Sequence, residues 1–263
     1  MKDNQKRSKT KKAVAAIKNE RYEKIMKILS EKGYASVEGL SRELFVSMPT
    51  VRRDLNTMQD LGLVVRSHGG VVQRLSETDG GPAVFRMGVN SQAKLKLDKA
   101  AAKLLRDNSM VFLDESTTTL HIIDQMSAFK NITVVTNNIS VLQLAAKYRI
   151  PTICLGGETS YDTMSFYGHE AEELITHFGI DIMFFSSSAI TSSSWIADYS
   201  APASALRRRV LRQADMKVFL CDKSKFLKHG AYMLMPLGEA DHIITDAPLP
   251  EELNIGSAHM TVV

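Results

Sequence analysis

The chemistry of this chain gathers in five short polar stretches, each placed directly after an apolar run. They read Asp114-Glu115-Ser116-Thr117-Thr118-Thr119, Thr136-Asn137-Asn138, Gly156-Gly157-Glu158, Ser186-Ser187-Ser188-Ala189 and Asp222-Lys223-Ser224-Lys225-Phe226. A Ser/Thr-rich loop entering a helix offers hydroxyls and free N–H groups to an anion, which is the physics of phosphate binding at a helix N-terminus. Ser and Thr are also ordinary helix caps, so one such loop would not define a site. Five at equivalent places do more, because in open α/β sheets ligands bind past the carboxyl ends of the strands. Glu115, Glu158 and Asp222 are also of the residue type that abstracts protons. No Ser-His-Asp or Cys-His pattern accompanies them, and no catalytic residue is assigned. Arg207-Arg208-Arg209 with Arg212 is the remaining cluster. Arg208 and Arg212, one helical turn apart, would either join Lys225 in an anion site or form a solvated or oligomer-facing basic surface.

A second kind of chemistry lies near the start. Tyr22, Ile25, Ile28 and Leu29 recur at helical spacing, with Gly33 as the stop. Ser36 precedes Val37, Leu40 and Leu44 as the cap of a second helix. Ser47 caps a third, with Pro49 in its first turn and Val51, Leu55 and Met58 on one face. Val64 to Arg66 and Val71-Val72 follow as two short strands around Ser67-His68-Gly69-Gly70. Three helices and a hairpin in so short a span make a winged helix-turn-helix. The first turns of its third helix reach base edges in the major groove. The DNA-facing candidates are therefore Ser36, Ser47, Met48, Thr50, Arg52 and Arg53, with Arg66 and His68 on the wing. The competing reading of Arg52 and Arg53 is a solvated helix face.

The elements that must hold these residues follow from periodicity. After a linker marked by Gly80-Gly81-Pro82, strand-like and helix-like stretches alternate. Strands are expected at 110–113, 132–135, 152–155, 182–185, 217–221 and 243–245. Helices are expected near 93–105, through 120–123, and at 141–146, 171–178 and 203–214. Repeated βα units imply a mostly parallel sheet flanked by helices. The division expected is a basic arm at 1–19, the winged helix at 20–75, a linker at 76–89 and the larger α/β domain at 90–263.

Composition limits the alternatives. With 263 residues, 44% hydrophobic and 24% charged, the chain is an ordinary globular one rather than fibrous or disordered. Its net charge of +4 is unevenly spread: Met1 to Leu75 holds 16 Lys and Arg against 8 Asp and Glu, the rest 17 against 21. A basic segment on a mildly acidic body points to a nucleic-acid-facing module. Cys154 and Cys221 sit in apolar runs without metal or redox spacing, and the histidines are scattered, so no metal and no cofactor is expected. No apolar run is long enough to span a bilayer, and the basic start lacks a secretory core. A cytoplasmic protein without membrane contact is the expectation.

Residues 21–72, with Val46-Ser47-x-x-Thr50-Val51-Arg52-Arg53-Asp54-Leu55 and then Leu61-Gly62-Leu63-Val64-x-Arg66-x-His68-Gly69-Gly70, resemble the N-terminal domain of DeoR-type bacterial transcriptional regulators. The five loops resemble that family's effector domain, which shares the ribose-5-phosphate isomerase-like fold. The resemblance implies operator binding, usually repression of sugar-catabolic genes, and relief by a phosphorylated sugar. It assigns the effector to Asp114, Ser116, Thr117, Thr118, Thr136, Asn137, Gly156, Gly157, Arg207, Arg208, Asp222 and Lys225.

Three departures from the family pattern stand out. Glu115 and Ser116 replace a Ser-Gly pair in the first loop, Ser188 replaces an acid, and Pro202-Ala203 replaces a Glu-Glu pair. A carboxylate at 115 pointing inward would repel a phosphate by about 4 kcal/mol at ~4 Å and an effective dielectric of ~20. The effector is thus expected to be a phosphorylated sugar or a changed one. The partners expected are double-stranded operator DNA, a small-molecule effector and a second copy of the chain, since helix-turn-helix proteins work as dimers. The competing readings are an architectural DNA-binding protein without an effector and a sugar-phosphate isomerase-like enzyme.

Overall fold

A computed structural model describes residues 20–263, leaving out 30, 31, 33, 62, 68, 69 and 74–82. The arm at 1–19, the helix stop at Gly33, the wing tip at His68 and the linker glycines 80 and 81 lie outside the described residues. The chain divides into two compact units, the second running from Asn90 to Val263.

The first unit begins with helix α1 (20–29), then β1 (Tyr34–Ser36), α2 (Val37–Leu44), α3 (Met48–Asp60), β2 (Val64–Ser67), β3 (Gly70–Gln73) and the short α4 (Ala83–Arg86). Ser36 caps α2 by accepting the Gly39 N–H at 3.0 Å. Phe45 closes that helix in the left-handed region, φ 54°, and its N–H reaches the Arg42 carbonyl. Ser47 then caps α3, and Pro49 falls in the first turn, where a missing N–H costs nothing. One face of each helix meets the others around Ile25, Leu29, Leu40, Val51, Leu55 and Met58, all fully buried.

The strands form an antiparallel sheet in the order β1-β3-β2. Strand β1 was not anticipated, since three residues are too short to show a period. It explains Gly70: a Cβ there would lie 2.3 Å from the Tyr34 hydroxyl and 2.5 Å from the Ala35 carbonyl.

The second unit contains α5 (Ser91–Ala101), β4 (Met110–Leu113), α6 (Ile123–Met126), β5 (Thr133–Thr136), α7 (Ile139–Tyr148), β6 (Thr152–Cys154), β7 (Glu158–Ser160) and β8 (Ser165–Tyr167). It continues with α8 (His169–Leu174), β9 (Ile180–Phe185), β10 (Ala189–Ile190), β11 (Trp195–Asp198), α9 (Ala201–Gln213), β12 (Ala214–Cys221), β13 (Tyr232–Pro236), β14 (His242–Thr245) and β15 (His259–Val262). Seven strands pair in parallel in the order β15-β14-β12-β9-β4-β5-β6. Ile182, Met183, Phe184 and Phe185 are consecutive and all fully buried, so both faces of the sheet are covered. Phe185 and Phe219 meet at 5.2 Å between ring centroids, and Leu206 and Val210 of α9 join the same cluster.

The expected helix through 120–123 is instead a 3₁₀ turn, Leu120–Ile122, running into the single turn of α6. The hairpin β7-β8, the small sheet β10-β11-β13 and edge strand β15 add to the expected elements. Because β4, β5 and β6 run outward one way and β9, β12, β14 and β15 the other, strand order reverses between β4 and β9. There a crevice opens at the carboxyl edge of a parallel sheet.

The first unit is held by one ion pair. Arg21 of α1 grips Asp54 of α3 through two bonds, Nε to Oδ2 at 2.8 Å and Nη2 to Oδ1 at 3.1 Å, with Asp54 2% exposed. That carboxylate holds the Arg21 guanidinium above its ordinary pKa. Asp54→Asn should therefore cost the unit about 2 kcal/mol. Hydrogen exchange checks this: amides of α1 and α3 should exchange faster while those of β4 and β9 keep their protection.

Candidate functional site

The carboxyl edge of the seven-stranded sheet gathers the polar loops that the sequence singles out. The loop after β4 folds on itself. Asp114 Oδ1 accepts the Ser116 N–H at 3.1 Å and the Thr119 hydroxyl at 2.8 Å, and Ser116 Oγ accepts the Thr119 N–H at 3.2 Å. Asp114 Oδ2 accepts the Ser186 N–H at 3.1 Å, stitching this loop to the one after β9. Thr136 donates to the Leu113 carbonyl at 2.8 Å and accepts the Asn138 N–H at 3.1 Å. Asp222 Oδ1 accepts the Ser224 N–H at 2.9 Å and the Asn90 amide at 3.1 Å. Lys94 of α5, buried, donates to Thr117 Oγ1 at 3.0 Å.

Arg207 is at the centre. It is 4% exposed, and α9 carries it into contact with three carboxylates. Nε lies 3.0 Å from Asp114 Oδ2, Nη2 2.6 Å from Glu115 Oε1, and Nη1 2.7 Å from Asp198 Oδ2. Glu115 thus turns toward an arginine. Burial, opposed by Arg207 and reinforced by Asp114, pushes its carboxyl up to about 7. Although burial acts the other way, Arg207 and the N–H groups of Tyr199 and Ser200 hold Asp198 below the ordinary carboxylate value. Despite its own desolvation, Arg207 is held well above its ordinary value by Glu115, Asp198 and Asp114. Three acids share one base, and every nitrogen of the guanidinium is engaged by a carboxylate.

The other candidates separate into those with structural partners and those without. Arg208 reaches away, donating to the Met233 carbonyl of β13 at 2.9 Å, so it does not meet Lys225. Gly157, at φ 120°, is required by the hairpin, because a Cβ would lie 2.2 Å from the Tyr167 carbonyl. Around Gly156 that space is open. Ser188, at the position of an expected acid, bonds Asp198 Oδ1 at 3.1 Å. Asn137 donates from Nδ2 to the Phe166 carbonyl at 3.0 Å, but its buried Oδ1 meets no donor among the described residues. The buried Ser186 hydroxyl is equally unpartnered there.

Asp198 and Lys94 escaped the sequence reading. A lone acid ending the apolar run Trp195-Ile196-Ala197, nine residues before Arg207, was the available signal for the first. Lys94 offered none, because a lysine on an amphipathic helix reads as solvated.

In the first unit α3 turns Arg52 and Arg53 to solvent while Val51 and Leu55 are buried beneath them. Met48 is exposed at the first turn. The Ser47 and Thr50 hydroxyls bond each other at 2.9 Å. Ser36, inside the α2 cap, accepts a backbone bond. Arg66 of β2 reaches Asn56 Oδ1 of α3 at 3.4 Å, which ties the wing to the exposed helix face. His68 lies outside the described residues.

A winged helix-turn-helix unit and a parallel α/β unit with polar loops on one edge define a DNA-binding regulator with a sensor domain. Residues 21–77 match the profile of the DeoR-like helix-turn-helix domain, and residues 89–247 match that of the DeoR C terminal sensor domain. The chain belongs to the DeoR family. It is 32% identical over 236 residues to the L-fucose operon activator of Haemophilus influenzae, covering 89% of this chain and 94% of that protein. It is 27% identical over 229 residues to the glycerol-3-phosphate regulon repressor of the same organism, covering 87% and 89%. The HTH-type transcriptional regulator IolR of Bacillus subtilis is 28% identical over 221 residues, covering 84% and 88%. Among solved structures, ribose 5-phosphate isomerase A from Methanocaldococcus jannaschii superimposes with a TM-score of 0.40 at 20% identity, covering 57% of each chain.

Removing Arg207 would strand three buried acids. Arg207→Met should destabilise the sensor unit by about 3–5 kcal/mol in denaturant unfolding, and adding Glu115→Gln should recover part of that loss.

Asp98 of α5 gives a second test. Burial pushes its carboxyl up to about 8, with the His121 amide opposing, the Asp124 charge adding to the rise and Lys94 opposing it. A folded pKa above the unfolded value means the stabilisation is complete below the model value of 3.8 and is lost as pH rises through about 8. Relative to the parent, Asp98→Asn should gain on the order of 3 kcal/mol between pH 5 and pH 8. Thermal melts whose difference stays flat across that range would contradict it.

Proposed function

We propose that this protein is a sequence-specific repressor whose α3 enters the major groove of operator DNA and whose sensor unit binds a small molecule that releases it. Met48, Thr50, Arg52 and Arg53 are the base-reading residues, because the first turns of a recognition helix face the base edges. Arg66 and His68 contact the backbone beside them. Ser36 and Ser47 act at the helix starts, where capped N–H groups also approach phosphates.

The observation that carries this reading is the exposure of Arg52 and Arg53 on a helix whose other face is buried and clamped by Arg21 and Asp54. A rigid helix presenting two guanidinium groups suits bidentate recognition of guanine. The relatives include both an activator and a repressor by name, so the sign of regulation rests on the family's usual habit. The working unit is at least a dimer, so that two α3 helices meet two half-sites one helical turn apart. The protein acts in the cytoplasm and carries out no turnover.

The effector lies at the carboxyl edge between β4 and its neighbours β5 and β9. Its differential affinity for the DNA-bound and free arrangements sets how far operator affinity falls. Asp114, Ser116, Thr117, Thr136 and Asp222 shape the loops there; Thr118, Asn137, Gly156, Gly157 and Lys225 line them, and Arg207 anchors them from below. Arg208 serves the α9–β13 contact.

Arg52→Ala with Arg53→Ala tests the DNA reading. Against a duplex selected from a random pool by the parent protein, affinity should fall about a hundredfold or more, with the sedimentation of the oligomer unchanged. Gel shifts with undiminished affinity would sink the recognition-helix assignment.

A further inference from the structure

We propose that the sensor site takes an uncharged polyhydroxy ligand, an unphosphorylated sugar or polyol, and discriminates against its phosphorylated counterpart. The inference rests on the effector reading above and narrows it. Three observations carry it.

The first is the use of Arg207. An anion receptor needs donors to spare, yet Nε, Nη1 and Nη2 are engaged by Asp114, Asp198 and Glu115 at 2.6–3.0 Å. One cation surrounded by three buried carboxylates leaves the middle of the crevice with an excess of acidic groups. A phosphate monoester brings roughly −1.5 to −2 charges of its own. Its approach would meet carboxylates in a poorly screened environment.

The second is the fate of the loop N–H groups. In the loop after β4, the amides of Ser116 and Thr119 are spent on Asp114 Oδ1 and Ser116 Oγ, and the Ser186 amide on Asp114 Oδ2. The loop has turned its donors inward. Lys225, the accessible cation of this edge, follows β12, which stands two strands from β4 in the order β12-β9-β4. At roughly 4.8 Å per strand it is about 10 Å away.

The third is what remains unpaired. Asn137 Oδ1 is a buried acceptor without a donor, and it follows β5 on one side of β4. Ser186 Oγ, buried and unpartnered, follows β9 on the other side. Leaving such atoms unpaired is unfavourable, so a ligand that bonds them is selected for it. A carbonyl oxygen asks for a donor, which a phosphate dianion lacks and a sugar hydroxyl supplies. Across three strands the two atoms are spaced on the order of 10 Å, the length of a hexose or a linear polyol. Both are buried, so entry parts the loops, and the parting is a movement that a sensor domain can transmit.

The test uses the full-length protein and two matched series: an aldopentose, an aldohexose, a 6-deoxyhexose, an alditol and a cyclitol, each beside its monophosphate, with inorganic phosphate as a further arm. Thermal unfolding and operator anisotropy are read together. The expected result is that one neutral member raises the melting temperature and weakens operator binding, while its monophosphate binds at least about tenfold more weakly. Ser186→Ala removes a hydroxyl that bonds nothing among the described residues, so it should fold and bind the neutral ligand several-fold less tightly.

Stabilisation by a monophosphate in preference to its neutral partner overturns the neutral-ligand proposal and leaves the effector reading standing. A neutral ligand bound equally well by Ser186→Ala and by Asn137→Ala overturns the placement argued here. Silence of both series, in melting and in operator release alike, overturns the effector reading itself and this proposal with it.

Discussion

One guanidinium organises the sensor unit. Arg207 comes from α9, Asp114 and Glu115 from the end of β4, and Asp198 from the end of β11, so a single side chain ties together a helix, the central sheet and the small antiparallel sheet. Burying charges is expensive, and an arrangement of three acids with one base is tolerable only because each oxygen finds further donors. Asp114 has the amides of Ser116 and Ser186, and Asp198 has those of Tyr199 and Ser200. Glu115 has fewest, and it is the member whose carboxyl burial pushes to about 7. The polar loops owe their shapes to this cluster. Their hydroxyls and amides are oriented by Asp114 before any ligand arrives, which is how a binding edge avoids the entropic cost of ordering itself later.

The DNA-facing unit solves a different problem with similar means. Its helices are short, and short helices in water depend on packing and caps rather than on intrinsic propensity. Ser36 and Ser47 supply the caps, Phe45 in the left-handed region makes the tight corner between α2 and α3, and Arg21 clamps α3 from behind through Asp54. The outward face of α3 can then carry arginines without contributing to the core. Stability and recognition are divided between the two faces of one helix.

Much of this was legible in the sequence, for identifiable reasons. Helix caps, a proline in the first turn and apolar residues at helical spacing are local signals, so α2 and α3 fall where Ser36, Ser47 and Pro49 put them. Buried parallel strands are runs of β-branched and aromatic residues, so β4, β9 and β12 stand out unaided. The three residues of β1, the hairpin β7-β8 and the strands β10, β11 and β13 are too short for a period to emerge, and they exist only because a partner is present. Arg207 and Arg208 show the limit most plainly. Adjacent arginines look interchangeable in sequence, yet one is buried among acids and the other reaches a carbonyl of β13.

The sequence by itself determined the order of elements, the two units, the recognition helix and the set of loops at the carboxyl edge, because each depends on contacts between near neighbours in the chain. Tertiary structure alone decided which polar groups are spent and which remain. Glu115 was legible as an acid that would repel phosphate, but only the fold turns it to Arg207, and only the fold brings in Asp198 from 83 residues further along the chain. Charge balance and hydrogen-bond satisfaction are properties of groups distant in sequence and close in space, where burial strengthens every interaction between them.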